Sequence, residues 1–262
     1  MDTMIGFVGC GKMAQAIIHG MITYGGYSPK QIVATARTHA TRESIVNKFG
    51  INVQTNNKEV ASSTDILFLA IKPHDFLEVV KEISPAIRKD TLIVTAGFGV
   101  TLNEVGDLFP EGTKIVRIMP NTPAYVGEGM TAYCPNACVS EEEIEKLDQL
   151  FTSFGKAERV PERLMDTITA VSGSSPAYVY MFIEALADGA VRHGVPRDLA
   201  YQLVGQSVLG AAKMVLETGQ HPGKLKDDVT TPNGSTIRAI ESLEADGFRG
   251  AIIQAVGACF KK

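Results

Sequence analysis

The sequence predicts an α/β domain followed by an all-helical one: a doubly wound, mostly parallel sheet over residues 1–160, then helices over 161–262. Three observations carry this. From Ile5 to Val160, short apolar runs alternate with stretches of helical period, the βαβ rhythm that builds a sheet covered by helices on both faces. After Pro161 no strand-like run occurs, and apolar residues recur at helical spacing only. The first apolar run, Ile5-Gly6-Phe7-Val8, passes straight into a glycine turn that opens a helix.

Composition narrows the function classes. The chain has 262 residues, 45% hydrophobic and 21% charged, enough for two moderate domains. A net charge of -4 argues against a general nucleic-acid role, which needs a basic face. No apolar run reaches about 18 residues, so no membrane span is predicted. The first residues lack a basic region followed by a long apolar one, so no signal peptide is predicted and the expected location is the cytoplasm. Cys10, Cys134, Cys138 and Cys259 form no CxxC pair, which suits free, mostly buried thiols in a reducing compartment. Cys134 and Cys138 flank Pro135 with no nearby His, so no metal site is expected.

The glycine turn reads Gly9-Cys10-Gly11-Lys12-Met13-Ala14, with Ala16, Ile17 and Met21 facing inward on the helix that follows. This is G-x-G-x-x-A between a strand and a helix, the fingerprint of a Rossmann-type dinucleotide site. Gly9 permits the tight turn, Gly11 lets backbone approach a pyrophosphate, and Ala14 lets the helix pack closely on the strand. The next strand, Gln31 to Thr35, would end in Asp or Glu in an NAD-selective protein. Here Thr35-Ala36-Arg37-Thr38 follows, and a guanidinium beside hydroxyls suits the 2′-phosphate of NADP. NADPH is therefore the expected donor, with NADH also accepted; Arg37 would equally serve as a solvated residue stacked on adenine.

A helix over 41–49 and a short strand at Ile51-Asn52-Val53 come next, and Asn56 and Asn57 open a helical turn on the expected adenosine side. Asp65 to Ile71 is a continuous apolar run, as for a strand buried on both faces. Its exit, Ala70-Ile71-Lys72-Pro73, should lie by the cofactor, because ligands of open sheets bind beyond the strands' carboxyl ends. Lys72 there is also readable as an ordinary exposed lysine. A helix at 75–88 leads to the strand Thr91–Thr95, ending at Ala96-Gly97, small enough for a ring to approach. After a helix near 101–109, the strand Lys114–Met119 exits into the stiff loop Pro120-Asn121-Thr122-Pro123. A strand from Gly127 to Tyr133, an acidic amphipathic helix from Glu141 to Phe154 and a strand from Ala157 to Val160 complete the domain.

In the second half, Met165 to Val171 reads as helix, interrupted by Ser172-Gly173-Ser174-Ser175-Pro176. Tyr178 to His193 is a helix with a wide apolar face, stopped by His193-Gly194-Val195-Pro196. Residues 197–218 form a long helix apolar over more than one face, which calls for partner helices from another subunit. His221-Pro222-Gly223 breaks the chain before Asp227-Asp228-Val229-Thr230-Thr231-Pro232-Asn233-Gly234-Ser235-Thr236-Ile237, and helices at about 233–245 and 247–260 finish it. Thr231 before Pro232 reads as an N-cap and first-turn proline. Asn233, Gly234 and Ser235 would then open an anion-binding helix terminus. The same residues would also make a well-capped helix and nothing more.

These residues resemble the pyrroline-5-carboxylate reductase family over nearly the whole chain. Its late signature is matched by Pro222, Leu225, Val229, Thr230, Thr231, Gly234, Thr236, Ala239, Ile240, Leu243 and Glu244. Supporting blocks are Gly6–Ala14, Ala70–Pro73, Met119–Pro123 and Ser172–Tyr178. Ser175 and Asn233 stand where the family commonly has Gly, so slight backbone differences are expected there.

The resemblance implies hydride transfer from NADPH to the cyclic imine 1-pyrroline-5-carboxylate, giving L-proline in the last step of proline biosynthesis. It implies a C-terminal helical dimerisation domain and a homodimer, often assembled into a ring of dimers. It places the substrate at Thr231, Asn233, Gly234, Ser235 and Thr236, with the Thr236 hydroxyl on the ring nitrogen and Lys72 as the nearby titratable group. The implied cofactor contacts are Gly9, Cys10, Gly11, Lys12, Met13, Thr35, Arg37, Asn57, Ala70, Ile71, Lys72, Pro73, Ala96, Gly97 and Asn121. Two other readings stay open: a reductase of the same plan acting on another cyclic imine or a β-hydroxy acid, and a nucleotide-binding scaffold without turnover. Ser172-Gly173-Ser174-Ser175 lacks the helical lysine expected of the hydroxy-acid enzymes.

Overall fold

The computed structural model describes residues 3–96 and 99–260. The chain forms two compact units, Met1–Pro176 and Ala177–Lys262. In the first, β1 (Ile5–Val8) feeds α1 (Lys12–Thr23), then β2 (Ile32–Thr35), α2 (His39–Phe49), β3 (Asn52–Gln54) and α3 (Asn57–Ser63). The other side of the sheet is built from β4 (Ile66–Leu69), α4 (Pro73–Ile83), β5 (Leu92–Thr95), α5 (Leu102–Gly106) and β6 (Lys114–Met119). The unit closes with β7 (Gly129–Pro135), α6 (Glu141–Thr152) and β8 (Gly155–Arg159).

These strands form one 8-stranded sheet in the order β3-β2-β1-β4-β5-β6-β7-β8. All neighbours are parallel except β7, which runs antiparallel to β6. Chain direction reverses about β1, so β2 and β4 flank it and a crevice opens beyond its carboxyl end, where the glycine turn lies.

Strand alternation sorts the apolar side chains between two cores. Ile5, Phe7, Ile32, Ala34 and Phe68 face α1 and α6, with Phe7 and Phe68 stacked at 4.6 Å. Val8, Val33, Leu67, Leu69 and Ile93 face α3, α4 and α5. Each of the Val, Leu, Ile and Phe side chains among them, buried from water, contributes about 1.5–3 kcal/mol. Both faces are covered, so the strands read as continuous apolar runs.

Several predicted boundaries move. The helix expected over 75–88 begins at Pro73, where its missing N–H costs nothing, and gives way to a tighter turn at Ser84–Ala86 around Pro85. The expected interruption at Ser172–Pro176 is mostly helical. After α7 (Met165–Ile168) the chain widens into a π-turn, Thr169–Gly173, and runs into α8 (Ser175–Arg192). This stretch is pinned to the sheet. Arg117 on β6, its side chain 3% exposed, lies 2.6 Å from Asp166 and 3.4 Å from Glu162. Buried Asn121 donates from Nδ2 to the Ser172 carbonyl at 3.0 Å and accepts the Met130 N–H at 2.8 Å.

The second unit is helical throughout its described residues: the rest of α8, α9 (Arg197–Thr218), α10 (Pro222–Asp228), α11 (Ser235–Ala245) and α12 (Phe248–Ala258). The stop after α8 is as expected, with Gly194 at φ 92° and its N–H donating to Val191. The break expected at His221-Pro222-Gly223 is instead the start of α10, with His221 as its cap. Among the described residues no helix is long and apolar enough to cross a membrane.

Candidate active site

The candidate region of the first unit is the turn after β1. Gly9 has φ 84°, and a Cβ there would lie 2.7 Å from the Ala70 carbonyl oxygen, so the tight turn requires glycine. Gly9 N–H donates to the Thr35 hydroxyl at 3.1 Å. Thr35 is thus buried beneath the turn and positions it from β2. Gln15 on α1 holds the same turn from the other side, donating to the Cys10 carbonyl at 3.0 Å. The Cys10 side chain points into the core, where burial pushes its thiol up to about 12; it stays protonated and contributes packing.

Gly11 caps α1 with extended backbone, and a Cβ on it would meet nothing within 4 Å. Open space lies in front of it. The N–H groups at Lys12 and Met13 begin a helix and lack intrahelical acceptors, and the helix dipole adds positive potential there. An anion can approach the backbone closely here, as a pyrophosphate requires.

A cleft of about 410 Å³ runs from this turn along the carboxyl edge of the sheet. Ala70, Ile71, Lys72 and Pro73 line one wall, from the exit of β4; Ala96 and Met119, at the ends of β5 and β6, line another. The size suits an organic ligand, and its lining is mainly apolar with few polar groups. A glycine turn that leaves backbone bare, a helix N-terminus and an apolar cleft beyond it fit a dinucleotide. Gly97, expected beside Ala96, lies outside the described residues.

The remaining expected contacts are placed unevenly. Arg37 follows β2 with its guanidinium 80% exposed, 2.6 Å from the Asp75 carboxylate at the start of α4. Asn57 starts α3 and donates to Glu82 at 3.0 Å, tying α3 to α4. The Asn121 amide is engaged at both ends, as described above, so its side chain supports the wall beside Met119 and Pro120. Lys72 is exposed as the cap residue of α4.

The second unit has a candidate region of its own at the start of α11. Its cap is Gly234, not Thr231. Thr-Pro is a strong helix-start signal, but here Thr231 to Gly234 make a turn before the helix begins. Gly234 N–H donates to the Thr231 carbonyl at 3.0 Å. Asn233 takes φ 58°, among the described residues the one non-glycine with positive φ, in the position where the family commonly has Gly. A Cβ on Gly234 would stand 2.4 Å from the Thr231 hydroxyl, so glycine lets the turn close. The donor of Gly234 is spent in the turn, and the N–H groups of Ser235 and Thr236 are the ones presented at the terminus.

Thr236 is half-buried in the first turn, and Ser235 and Thr231 are exposed. Arg238, unforeseen from sequence, folds back to donate to the Asn233 carbonyl at 2.9 Å. A basic residue in a first turn opposes the helix dipole, and that mismatch is the signal that could have singled it out. Asp227 and Asp228 end α10, paired with Lys226 and Lys224 as solvent-facing acids. The Lys226 hydrogen bond lowers the Asp227 carboxyl from its ordinary value. Among the described residues no cluster of His, Cys, Asp or Glu could hold a metal.

Two family models match, one over each part of the chain. The family model described as pyrroline-5-carboxylate reductase dimerisation matches residues 162–262. The model described as NADP oxidoreductase, coenzyme F420-dependent, matches residues 4–99. The pyrroline-5-carboxylate reductase of Escherichia coli (strain K12) is 46% identical over 262 residues, 100% of this chain and 97% of that protein. That of Glycine max is 42% identical over 258 residues, 98% of this chain and 94% of that protein. The crystal structure of Plasmodium falciparum pyrroline carboxylate reductase with NADP bound matches with a TM-score of 0.89 at 32% identity, covering 98% of this chain and 95% of that one. Similarity of this degree from end to end means that the chain belongs to the pyrroline-5-carboxylate reductase family.

Proposed function

We propose that this protein reduces 1-pyrroline-5-carboxylate to L-proline with hydride from NADPH, NADH serving as a second donor. The observation that carries the reading is the identity of 46% over the whole chain to a pyrroline-5-carboxylate reductase. The geometry supports a role for each part. The cofactor, when bound, supplies the hydride.

The turn Gly9–Met13 would hold its pyrophosphate and Arg37 its 2′-phosphate, with Thr35, Asn57 and Asn121 fixing the elements around it. Ala70 to Pro73, Ala96 and Gly97 would flank the nicotinamide. The Ser235 and Thr236 N–H groups would take the substrate carboxylate, Asn233 and Gly234 shaping that terminus and Thr231 adding a second contact. The reaction adds hydride to the imine carbon and a proton to the nitrogen, converting C=N to an amine. The Thr236 hydroxyl would hydrogen-bond that nitrogen, and Lys72 is the titratable candidate for the proton, directly or through water. Orientation is the protein's main contribution.

The same reading makes the protein a cytoplasmic homodimer that can assemble into a ring of dimers, with residues 1–160 serving the cofactor and 161–262 the substrate and the dimer contact. NADPH oxidation should be followed with 1-pyrroline-5-carboxylate, with other cyclic imines and with β-hydroxy acids in the reverse direction. Turnover is expected on the first and little on the rest. A hydroxy acid as the better substrate, or cofactor binding with no turnover on any, would replace this reading with one of the two alternatives.

A further inference from the structure

The end of β2 lacks the acid that usually binds a ribose hydroxyl, yet a carboxylate reaches the same place from another element. Asp75, in the first turn of α4, puts Oδ2 2.6 Å from the Arg37 guanidinium and 3.5 Å from His74 Nε2. Arg37 follows β2 and Asp75 follows β4, and these two strands flank β1. The bridge between them therefore crosses the carboxyl edge of the sheet beside the glycine turn.

Its two ends differ in freedom. The Asp75 side chain is 23% exposed and the Arg37 side chain 80%. The backbone at Ala36 and Arg37 is itself held, because Arg42 donates to both carbonyls at 2.9 and 3.0 Å. A loop whose backbone is hydrogen-bonded, a carboxylate mostly out of solvent and an exposed guanidinium make an arrangement in which only the arginine side chain need move.

We infer that Asp75 is a specificity-determining residue for the cofactor: its carboxylate competes with a 2′-phosphate for Arg37, and it supplies the acceptor for a ribose 2′-hydroxyl that β2 does not. This deepens the reading of Arg37 as the 2′-phosphate contact and rests on it. With NADP, Arg37 exchanges one anion for another, and Asp75 stands against the phosphate as a like charge, which reduces the gain. With NAD, a hydroxyl finds the carboxylate, and Arg37 can stay paired. One residue thus narrows the gap between the two cofactors from both sides. A first-turn acid that only stabilised the α4 dipole would leave both affinities alike.

The test is calorimetric binding of NADP, NAD, 2′,5′-ADP and 5′-AMP to the full chain carrying Asp75→Asn, Asp75→Ser or Arg37→Gln at low ionic strength. The Asp75 variants should bind NADP and 2′,5′-ADP about three- to tenfold more tightly, as for loss of a charge contact near the surface. They should bind NAD and 5′-AMP more weakly by a similar factor. Changes of the same sign for both cofactors, or none in either variant, overturn the inference. Arg37→Gln should weaken NADP and 2′,5′-ADP alone. An unchanged NADP-to-NAD ratio in Arg37→Gln overturns the reading of Arg37, and with it the competition. A changed ratio there, with Asp75 variants like wild type, overturns the role of Asp75 alone.

Discussion

In the proposed mechanism Thr236 carries two contacts from one residue. Its N–H stands in the first turn of α11 and its hydroxyl branches from the same residue, so on that proposal it would serve the substrate carboxylate and nitrogen at once. The two functions separate by mutation. Thr236→Ala keeps the N–H and removes the hydroxyl, and should lower kcat/KM about 10- to 100-fold, roughly 1.4–2.7 kcal/mol, as for one transition-state hydrogen bond. Thr236→Ser keeps both and should recover most of that loss. Steady-state kinetics on the imine decide the matter: wild-type values for the alanine variant would remove the hydroxyl from the mechanism. Thr231 contributes differently. Its hydroxyl rests over Gly234, so it shapes the turn that leaves the terminus open.

At the scale of elements, α6 shows how a helix is fastened to the sheet. Ser140 and Glu143 form a reciprocal capping box, and Glu143 also lies 2.6 Å from Lys114 on β6. Partial burial pushes the Glu143 carboxyl up, but the hydrogen bonds from Lys114 and the Ser140 N–H outweigh it and leave it lowered from 4.5. A lowered folded-state value means stability that is present above the ordinary carboxylate range and lost as pH falls through the lowered value. Glu143→Gln should therefore cost about 1 kcal/mol at pH 7, and the difference from wild type should shrink below pH 4.5. Urea unfolding at pH 7 and pH 4 measures both; a difference that stays constant or grows toward low pH would contradict the assignment.

Elements of this kind were legible in the sequence because their signals are local. Apolar runs marked the strands, and the acidic amphipathic pattern from Glu141 to Phe154 marked α6. What stayed illegible depended on geometry beyond the local pattern. The segment α10 has Pro, Gly and four charged residues among its seven, with no apolar stripe to betray it. The Thr-Pro pair before α11 signalled a cap that the left-handed Asn233 displaces by three residues. The glycine turn was readable, but the Asp75 carboxylate was not, because it comes to Arg37 from 38 residues away in sequence.

For the whole molecule, the second unit poses a problem of unburied surface. Its buried apolar core comprises Ala187, Ala200 and Val204, small side chains that bury little area. On α9, Ala200 and Val204 take one face, Leu199 and Leu203 a second, and Leu209 and Leu216 a third, the latter four all exposed. Met181 on α8 and Ile253 on α12 are 69% and 72% exposed. An apolar surface this broad is rare on monomers and typical of obligate interfaces. The match of residues 162–262 to a dimerisation family supports oligomerisation through such a surface, and the proposed homodimer would cover it with the helices of a second copy. Sedimentation at micromolar concentration should give at least twice the chain mass for wild type. Leu203→Asp, which places a charge in that apolar surface, should shift the protein toward monomer and lower its unfolding temperature, most of all at low protein concentration, where mass action favours the dissociated chain. A wild type that sediments as a monomer, or a variant that assembles and melts as wild type does, would leave Leu203 outside the contact.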